Sequence, residues 1–173
     1  LSTMVSESNV GLFANGADSN TVTQSYLWGD NAGAYLNTGS DFNAISLSTM
    51  IGKTNFGLYA NAADSNTVTR SYLGGGIHGA VLGTGSDGNV ISLSTMVGLG
   101  SFGLNAIGAA SNTVTQSYLW GGGNGAGLTD GANYNIVSFS TMIGNAGAGF
   151  YAYASASNTV RRATRVAACT EPW

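Results

Sequence analysis

An Asn recurs every 23 residues along this chain, as Asn20, Asn43, Asn66, Asn89, Asn112, Asn135 and Asn158. Cut after Asp18, the sequence divides into six consecutive blocks, 19–41, 42–64, 65–87, 88–110, 111–133 and 134–156, with no insertion or deletion. Residues 1–18 are the last part of such a block, and 157–173 open another before the pattern is lost. A fixed period of about 20–50 residues marks a solenoid, in which each unit contacts only its neighbours.

The blocks alternate between two kinds, so the larger repeat is 46 residues. Even coils open Ser-Asn-Thr-Val-Thr and continue as Ser25-Tyr26-Leu27, Ser71-Tyr72-Leu73 and Ser117-Tyr118-Leu119. Odd coils run Ile45 to Gly52, Ile91 to Gly98 and Val137 to Gly144 in the form Ile-Ser-Leu-Ser-Thr-Met-Ile/Val-Gly, with Phe139 for the Leu in the third copy. No block carries the leucine-rich repeat signature, and 23 residues are too few for a helical pair. The apolar runs are short, rich in Val, Ile, Thr and Tyr, and bounded by Gly, Asn, Asp and Ser. That is strand-and-turn punctuation.

Each coil therefore predicts two or three short strands stacked in parallel, about 4.8 Å from the next coil. One core column is Val22, Ile45, Val68, Ile91, Val114, Val137 and Val160, and a second is Leu27, Met50, Leu73, Met96, Leu119 and Met142. Gly29, Gly52, Gly75, Gly98, Gly121 and Gly144 follow the second column and are expected to turn the chain at positive φ. The third strand carries Leu12, Leu58, Leu104 and Phe150 in odd coils and Leu36, Leu82 and Leu128 in even ones. The even Leu stands one place later, which predicts a preceding loop one residue longer. The Asn column is expected to bond amide to amide, with Ser25 through Ser140 in a similar corner role.

The pattern N-x-[VI]-x-x-S-x-[LM], followed by G-x-x-x-x-G/A-[VLIF], resembles the right-handed parallel β-helix repeat over residues 1–160. The resemblance implies an all-β fold of about seven coils and supplies the handedness. It also implies kinship with pectate lyases, polygalacturonases, phage tailspikes, adhesins and modular carbohydrate-active proteins. Many activities share that scaffold, so fold alone names none of them.

Composition narrows the partners. Thirteen residues are charged, 8 % of the chain, against about 25 % in an average soluble domain. The net charge is −3, and the basic residues cluster only at Arg161, Arg162 and Arg165. Nucleic-acid binding needs a cationic footprint that this chain lacks. No apolar run approaches the length of about 20 residues that spans a membrane as a helix. Cys169 is the one cysteine, so no internal disulfide framework exists. The low charge and abundant hydroxyls suggest an extracellular or cell-surface solenoid. The start in mid-repeat suggests a piece of a longer protein. Arg165 falls where a core Leu or Met belongs, so 161–173 is expected to form an irregular basic tail. With no capping helix evident, the open ends predict a homo-oligomer, a dimer by its ends or side by side.

Four surfaces are candidates for chemistry. Asp18, Asp41, Asp64 and Asp87 close four successive coils, and stacking would set their carboxyls about 5 Å apart. Such a column could hold Ca²⁺, contact glycan or supply the carboxyl pair of a glycosidase; equally, each Asp could bond its own turn. Asp41, Asp64 and Asp87 are the catalytic candidates, with Lys53 or Arg70 as a lyase-like cation and His78 as a general base. Asp30 and Lys53 also fit a plain surface ion pair. The third surface is aromatic: Tyr26, Tyr72 and Tyr118 alternate with Thr and should face outward, Trp28 and Trp120 sit beside the glycines, and Phe13, Tyr35, Tyr59 and Tyr151 lie on the third strand. Such rings can stack on sugars, form a dimer face or pack locally. The fourth is a set of Thr-x-Thr rows at Thr21, Thr67 and Thr113, which offers ice binding as a minor alternative. The favoured expectation is a non-catalytic module that binds polysaccharide or itself, with a glycoside hydrolase or lyase as the alternative.

Overall fold

In the computed structural model, which describes residues 2–167, the repeat folds as three parallel sheets wound into a solenoid. Sheet A has eight strands: Ser2–Ser6, Ser25–Gly29, Thr49–Gly52, Tyr72–Gly75, Thr95–Gly98, Tyr118–Gly121, Thr141–Gly144 and Thr164–Ala167. Sheet B has seven, from Val10–Asn15 to Phe150–Tyr153, and sheet C has seven three-residue strands, from Thr21–Thr23 to Thr159–Arg161. Every coil runs C, A, B and then returns to C. The expected core columns are buried: Ile45, Val68, Ile91, Val114 and Val137 from sheet C, and Leu27, Met50, Leu73, Met96, Leu119 and Met142 from sheet A. Fully burying each of these side chains contributes about 1.5–3 kcal/mol. In the end coils Met4, Leu12, Val22, Phe150 and Val160 are only partly buried.

Sheet B corrects the loop expectation. Two residues, Asp30 and Asn31, separate Gly29 from the sheet B strand of that even coil, whereas Lys53, Thr54 and Asn55 separate Gly52 from its odd counterpart. The even loop is thus shorter, not longer. Leu12 pairs with Ala34 and Ala34 with Leu58, while Ala14 pairs with Leu36 and Leu36 with Ala60. Spacing along this sheet alternates between 22 and 24 residues. The outcome is a checkerboard in which every core Leu is stacked between alanines. Two adjacent Leu columns in one rung would overfill a core packed at crystal-like density.

The glycines after the sheet A core column are also reassigned. None of Gly29, Gly52, Gly75, Gly98, Gly121 and Gly144 has positive φ. A Cβ at Gly29 would strike the Ala32 carbonyl, and one at Gly52 the Phe56 carbonyl. The chain folds back so tightly between sheets A and B that only hydrogen fits. A second column, including Gly33, Gly57, Gly79 and Gly103, lies against the sheet A backbone. The left-handed residues stand instead at the other corners, as Gln24, Leu47, Arg70, Leu93, Gln116, Phe139 and Arg162 between C and A, and at Ser19, Phe42, Ser65, Gly88, Ser111 and Tyr134 before the Asn column.

Side chains hold those corners. The Ser25 N–H donates to Ser48 Oγ at 3.1 Å, and Ser48 Oγ donates to its own Ser46 carbonyl at 2.7 Å. The Asn column bonds amide to backbone: the Asn43 N–H donates to Asn66 Oδ1 at 2.8 Å, and Asn66 N–H to Asn89 Oδ1 at 2.8 Å. Amide-to-amide contact occurs in this column between Asn20 and Asn43, and on sheet B between Asn37 and Asn15. The backbone N–H groups of the tight corner find no partner in their own coil, so they draw the side-chain oxygens first.

The segment expected to be irregular from residue 161 instead continues the winding to Ala167. Arg161 pairs with Ser138, and Thr164 to Ala167 pair with Thr141 to Gly144. Ladder bonds use backbone groups, so the change of side chains does not end them. Arg165 takes the rung of Met142 but stands exposed at the end of the described stack. Residues 168–173, the rest of that segment, lie outside the described residues.

Two substitutions test this packing by urea denaturation. Gly52→Ala forces the Phe56 backbone away and is expected to cost several kcal/mol, on the scale of overpacking at about 1–3 kcal/mol plus broken ladder bonds. Ala60→Leu, between Leu36 and Leu82, is expected to cost about 1–3 kcal/mol; an unchanged midpoint would sink the checkerboard.

Candidate functional site

Alternation along each strand sends every second side chain outward. On sheet A two outer columns result. One is Thr3, Tyr26, Thr49, Tyr72, Thr95, Tyr118, Thr141 and Thr164; the other is Val5, Trp28, Ile51, Gly74, Val97, Trp120, Ile143 and Val166. Neither contains a charged residue. Tyr26, Tyr72 and Tyr118 are 41, 39 and 39 % exposed, as expected of outward rings. Trp28 and Trp120 prove to be members of an outer column, and Gly74 occupies the rung midway between them. The Tyr72 ring and Ile51 lean across Gly74: a Cβ there would lie 2.8 Å from Tyr72 Cε1 and 3.1 Å from Ile51 Cδ1. They bound an open recess of about 240 Å³ with Lys53, Val97 and Leu99. Reading the residue that directly follows the core Leu/Met as a column of its own would have found it.

Sheet B turns a second aromatic surface outward. Tyr35 and Tyr59 stack at 4.7 Å, and Phe13 meets Tyr35 edge-on at 5.5 Å. His78 lies between Phe56 and Phe102, with ring centroids 5.9 and 5.7 Å away. These rings cover one another's faces. His78 Nδ1 accepts the Phe102 N–H at 3.3 Å, which leaves the ring proton of the neutral form on Nε2. Burial holds this imidazole below the usual range of a histidine. Burial, with a smaller contribution from Tyr35, raises the Tyr59 hydroxyl above its usual range. Phe56 and Phe102 were not singled out in the sequence, since their stacking with His78 depends on the shifted register of sheet B.

The Asp column lies at the corner between sheets B and C. The Asp41 N–H donates to Asp18 Oδ1 at 2.9 Å, Asp64 N–H to Asp41 Oδ1 at 2.7 Å, Asp87 N–H to Asp64 Oδ1 at 2.8 Å, and Ala110 N–H to Asp87 Oδ1 at 2.6 Å. Each carboxylate thus caps the next coil's corner. Asn133 does the same for Ala156 at 2.6 Å. Among the described residues no three His, Cys, Asp or Glu side chains gather as a metal site. Lys53 sits at the A–B turn, 3.3 Å from Asp30, and Arg70 at the C–A corner. The fold therefore sets the candidate acids, Lys53 and Arg70 on three different edges. On sheet C, Ser46, Ser92 and Ser138 donate to Thr23, Thr69 and Thr115, each at 3.1 Å, so the hydroxyls of this column bond in pairs of neighbouring coils.

A family described as "Right handed beta helix region" matches residues 10–164. The chain belongs to the right-handed β-helix family. No curated protein matches the sequence. Among solved structures the β-helix is similar to ORF18 of Geobacillus virus E2, with a TM-score of 0.56 at 9 % identity, over 93 % of this chain. The match spans 37 % of that viral chain. At that identity the likeness concerns the fold.

Two measurements test these assignments. His78 is harder to protonate folded than unfolded, so its contribution to β-helix stability is complete above the unfolded pKa of about 6.5 and declines as pH falls below it. The melting temperature should drop from pH 7 to 5.5 more steeply in the native chain than in His78→Phe; parallel curves would refute the role. For the Asp column, Asp64→Asn keeps the acceptor and should leave stability within about 0.5 kcal/mol, whereas Asp64→Ala should cost about 1 kcal/mol.

Proposed function

We propose that this β-helix is a non-catalytic structural or adhesive module of a secreted or cell-surface protein, and that it associates with a copy of itself through the outer face of sheet A. The observation that carries the reading is the pair of outer columns free of charge, with Tyr26, Tyr72, Tyr118, Trp28 and Trp120 all on one sheet. Depletion of charge and enrichment in aromatics is what separates the centre of a protein interface from ordinary surface. Sheets B and C are less suited to the task, since the B rings already stack on each other and the C face is lined with hydroxyls. A catalytic reading has less support, because the Asp carboxylates are engaged at corners and the candidate cations stand on other edges.

Polysaccharide is the second reading, favoured by one observation. Tyr26, Tyr72 and Tyr118 recur every second coil, about 9.6 Å apart, close to the length of a disaccharide unit in an extended glycan. Rings at that interval can stack on alternate sugars. Sedimentation across a concentration series, run beside a glycan array, separates the two. A concentration-dependent dimer with no glycan signal is the expected result. A monomer at every concentration that binds a glycan, with binding lost in Tyr72→Ala, would reverse the order of the readings.

A further inference from the structure

The recess at Gly74 specifies how two copies would meet. We propose an antiparallel, two-fold dimer in which Trp120 of each copy enters the Gly74 recess of the other. The proposal rests on the lateral association proposed above and assigns its register.

In the Trp28, Ile51, Gly74, Val97, Trp120 column, the missing side chain is flanked by an indole two coils away on either side. A two-fold axis lying in the face and along the strands reverses the column against itself. An isologous contact requires that if Trp120 meets Gly74, Gly74 meets Trp120. That condition is satisfied when the axis crosses the Thr95–Gly98 strand. An apolar cavity of about 150 Å³ already admits a benzene ring. The open recess of about 240 Å³ is lined by Tyr72, Ile51, Lys53, Val97 and Leu99; Tyr72 and Ile51 lean over Gly74 itself, so the entering indole would seat on the Tyr72 ring.

Charge on the flanks separates this register from those whose axis crosses another strand, and the match of Trp120 to Gly74 separates it from those whose axis lies between strands. Along the C–A corner run Gln24, Leu47, Arg70, Leu93, Gln116, Phe139 and Arg162, and along the A–B turn lie Asp30, Lys53, Gly76, Leu99 and Gly122. With the axis at Thr95–Gly98, Leu93 and Leu99 meet their own copies, Leu47 meets Phe139, Arg70 meets Gln116 and Lys53 meets Asn145. No like charges face each other. An axis through Thr49–Gly52 also places an indole, Trp28, over Gly74, but opposes Lys53 to Lys53. An axis through Tyr72–Gly75 opposes Arg70 to Arg70 and stacks Trp28 on Trp120. An axis through Tyr118–Gly121 opposes Arg70 to Arg162. Like charges in apposition are a strong determinant of register.

The area is adequate. Seven overlapping coils at about 4.8 Å, by some seven residues from corner to corner at about 3.4 Å, give roughly 800 Å² per copy, the standard size for a stable pair. Leu47, Leu93 and Phe139, 50, 45 and 51 % exposed, stand along the C–A edge of this face, where the second copy would cover them.

The test uses the chain in a Cys169→Ser background. Packed sheets lie about 10 Å apart, so a short bismaleimide replaces a direct disulfide. Thr95→Cys, beside the axis, should link to itself; Thr49→Cys and Tyr72→Cys alone should not; a mixture of Ile51→Cys and Ile143→Cys should link as a heteropair. Gly74→Trp fills the recess and Trp120→Gly removes what enters it; each should weaken dimerisation at least tenfold by sedimentation. The double variant should restore it, a rescue that a merely structural role would not give. Unchanged circular dichroism verifies each fold, since the column already carries Trp at 28 and 120. A native chain that stays monomeric defeats lateral association itself. A native dimer that links through Thr49 or Tyr72, or a double variant that stays as weak as the singles, overturns the register alone.

Discussion

Coil-to-coil hydrogen bonding between parallel strands governs this molecule. Each strand of sheets A and C finds its partner 23 residues away. A one-residue slip of a strand would turn its core side chains outward. The unbroken period keeps those two sheets in one register, and sheet B obeys it in its own way. Its alternate spacings of 22 and 24 residues restore the 46-residue sum, so each even coil regains after the strand the residue it omits before it. That compensation sets Leu against Ala along the core.

The corners are the costly part of such a ladder. Three times per coil the chain bends, and the residues at two of those bends take left-handed conformations although most are not glycine. Stability at these points comes from a side chain of a neighbouring coil. Ser Oγ, Asn Oδ1 and Asp Oδ1 each accept a corner N–H from the coil before or after. The Asp column is most simply part of that set, since Asn133 substitutes for Asp without disturbing the bond to Ala156. The third bend, between sheets A and B, is closed by backbone against backbone, which only glycine allows.

With core and corners committed, the outward columns are what the fold leaves free, and the ladder fixes their spacing. Residues in one column stand about 4.8 Å apart, and the even–odd alternation doubles that interval for every feature carried by one kind of coil. The two outer columns of sheet A combine this rhythm with an absence of charge. One departure, Gly74, makes a recess where its equivalents bear indoles.

Much of this was legible in the sequence. The period, the strand-rich composition and the repeated Val/Ile and Leu/Met positions determined the parallel stack, its coil number and two of its core columns. They also determined that Tyr26, Tyr72 and Tyr118 face outward, because alternation follows from a neighbouring buried Leu. Tertiary structure alone decided the rest. A glycine needed for positive φ and one needed for backbone clearance look the same in sequence, and the second kind applies at Gly52. The checkerboard of sheet B depends on where a loop absorbs one residue, which block length does not record. The acids, Lys53 and Arg70 share neighbouring blocks in sequence yet occupy three edges in space, since a 23-residue coil has three corners and proximity in the chain does not choose among them. That Trp28 and Trp120 share one outer column with Gly74 midway between them followed only from the stacking of the coils.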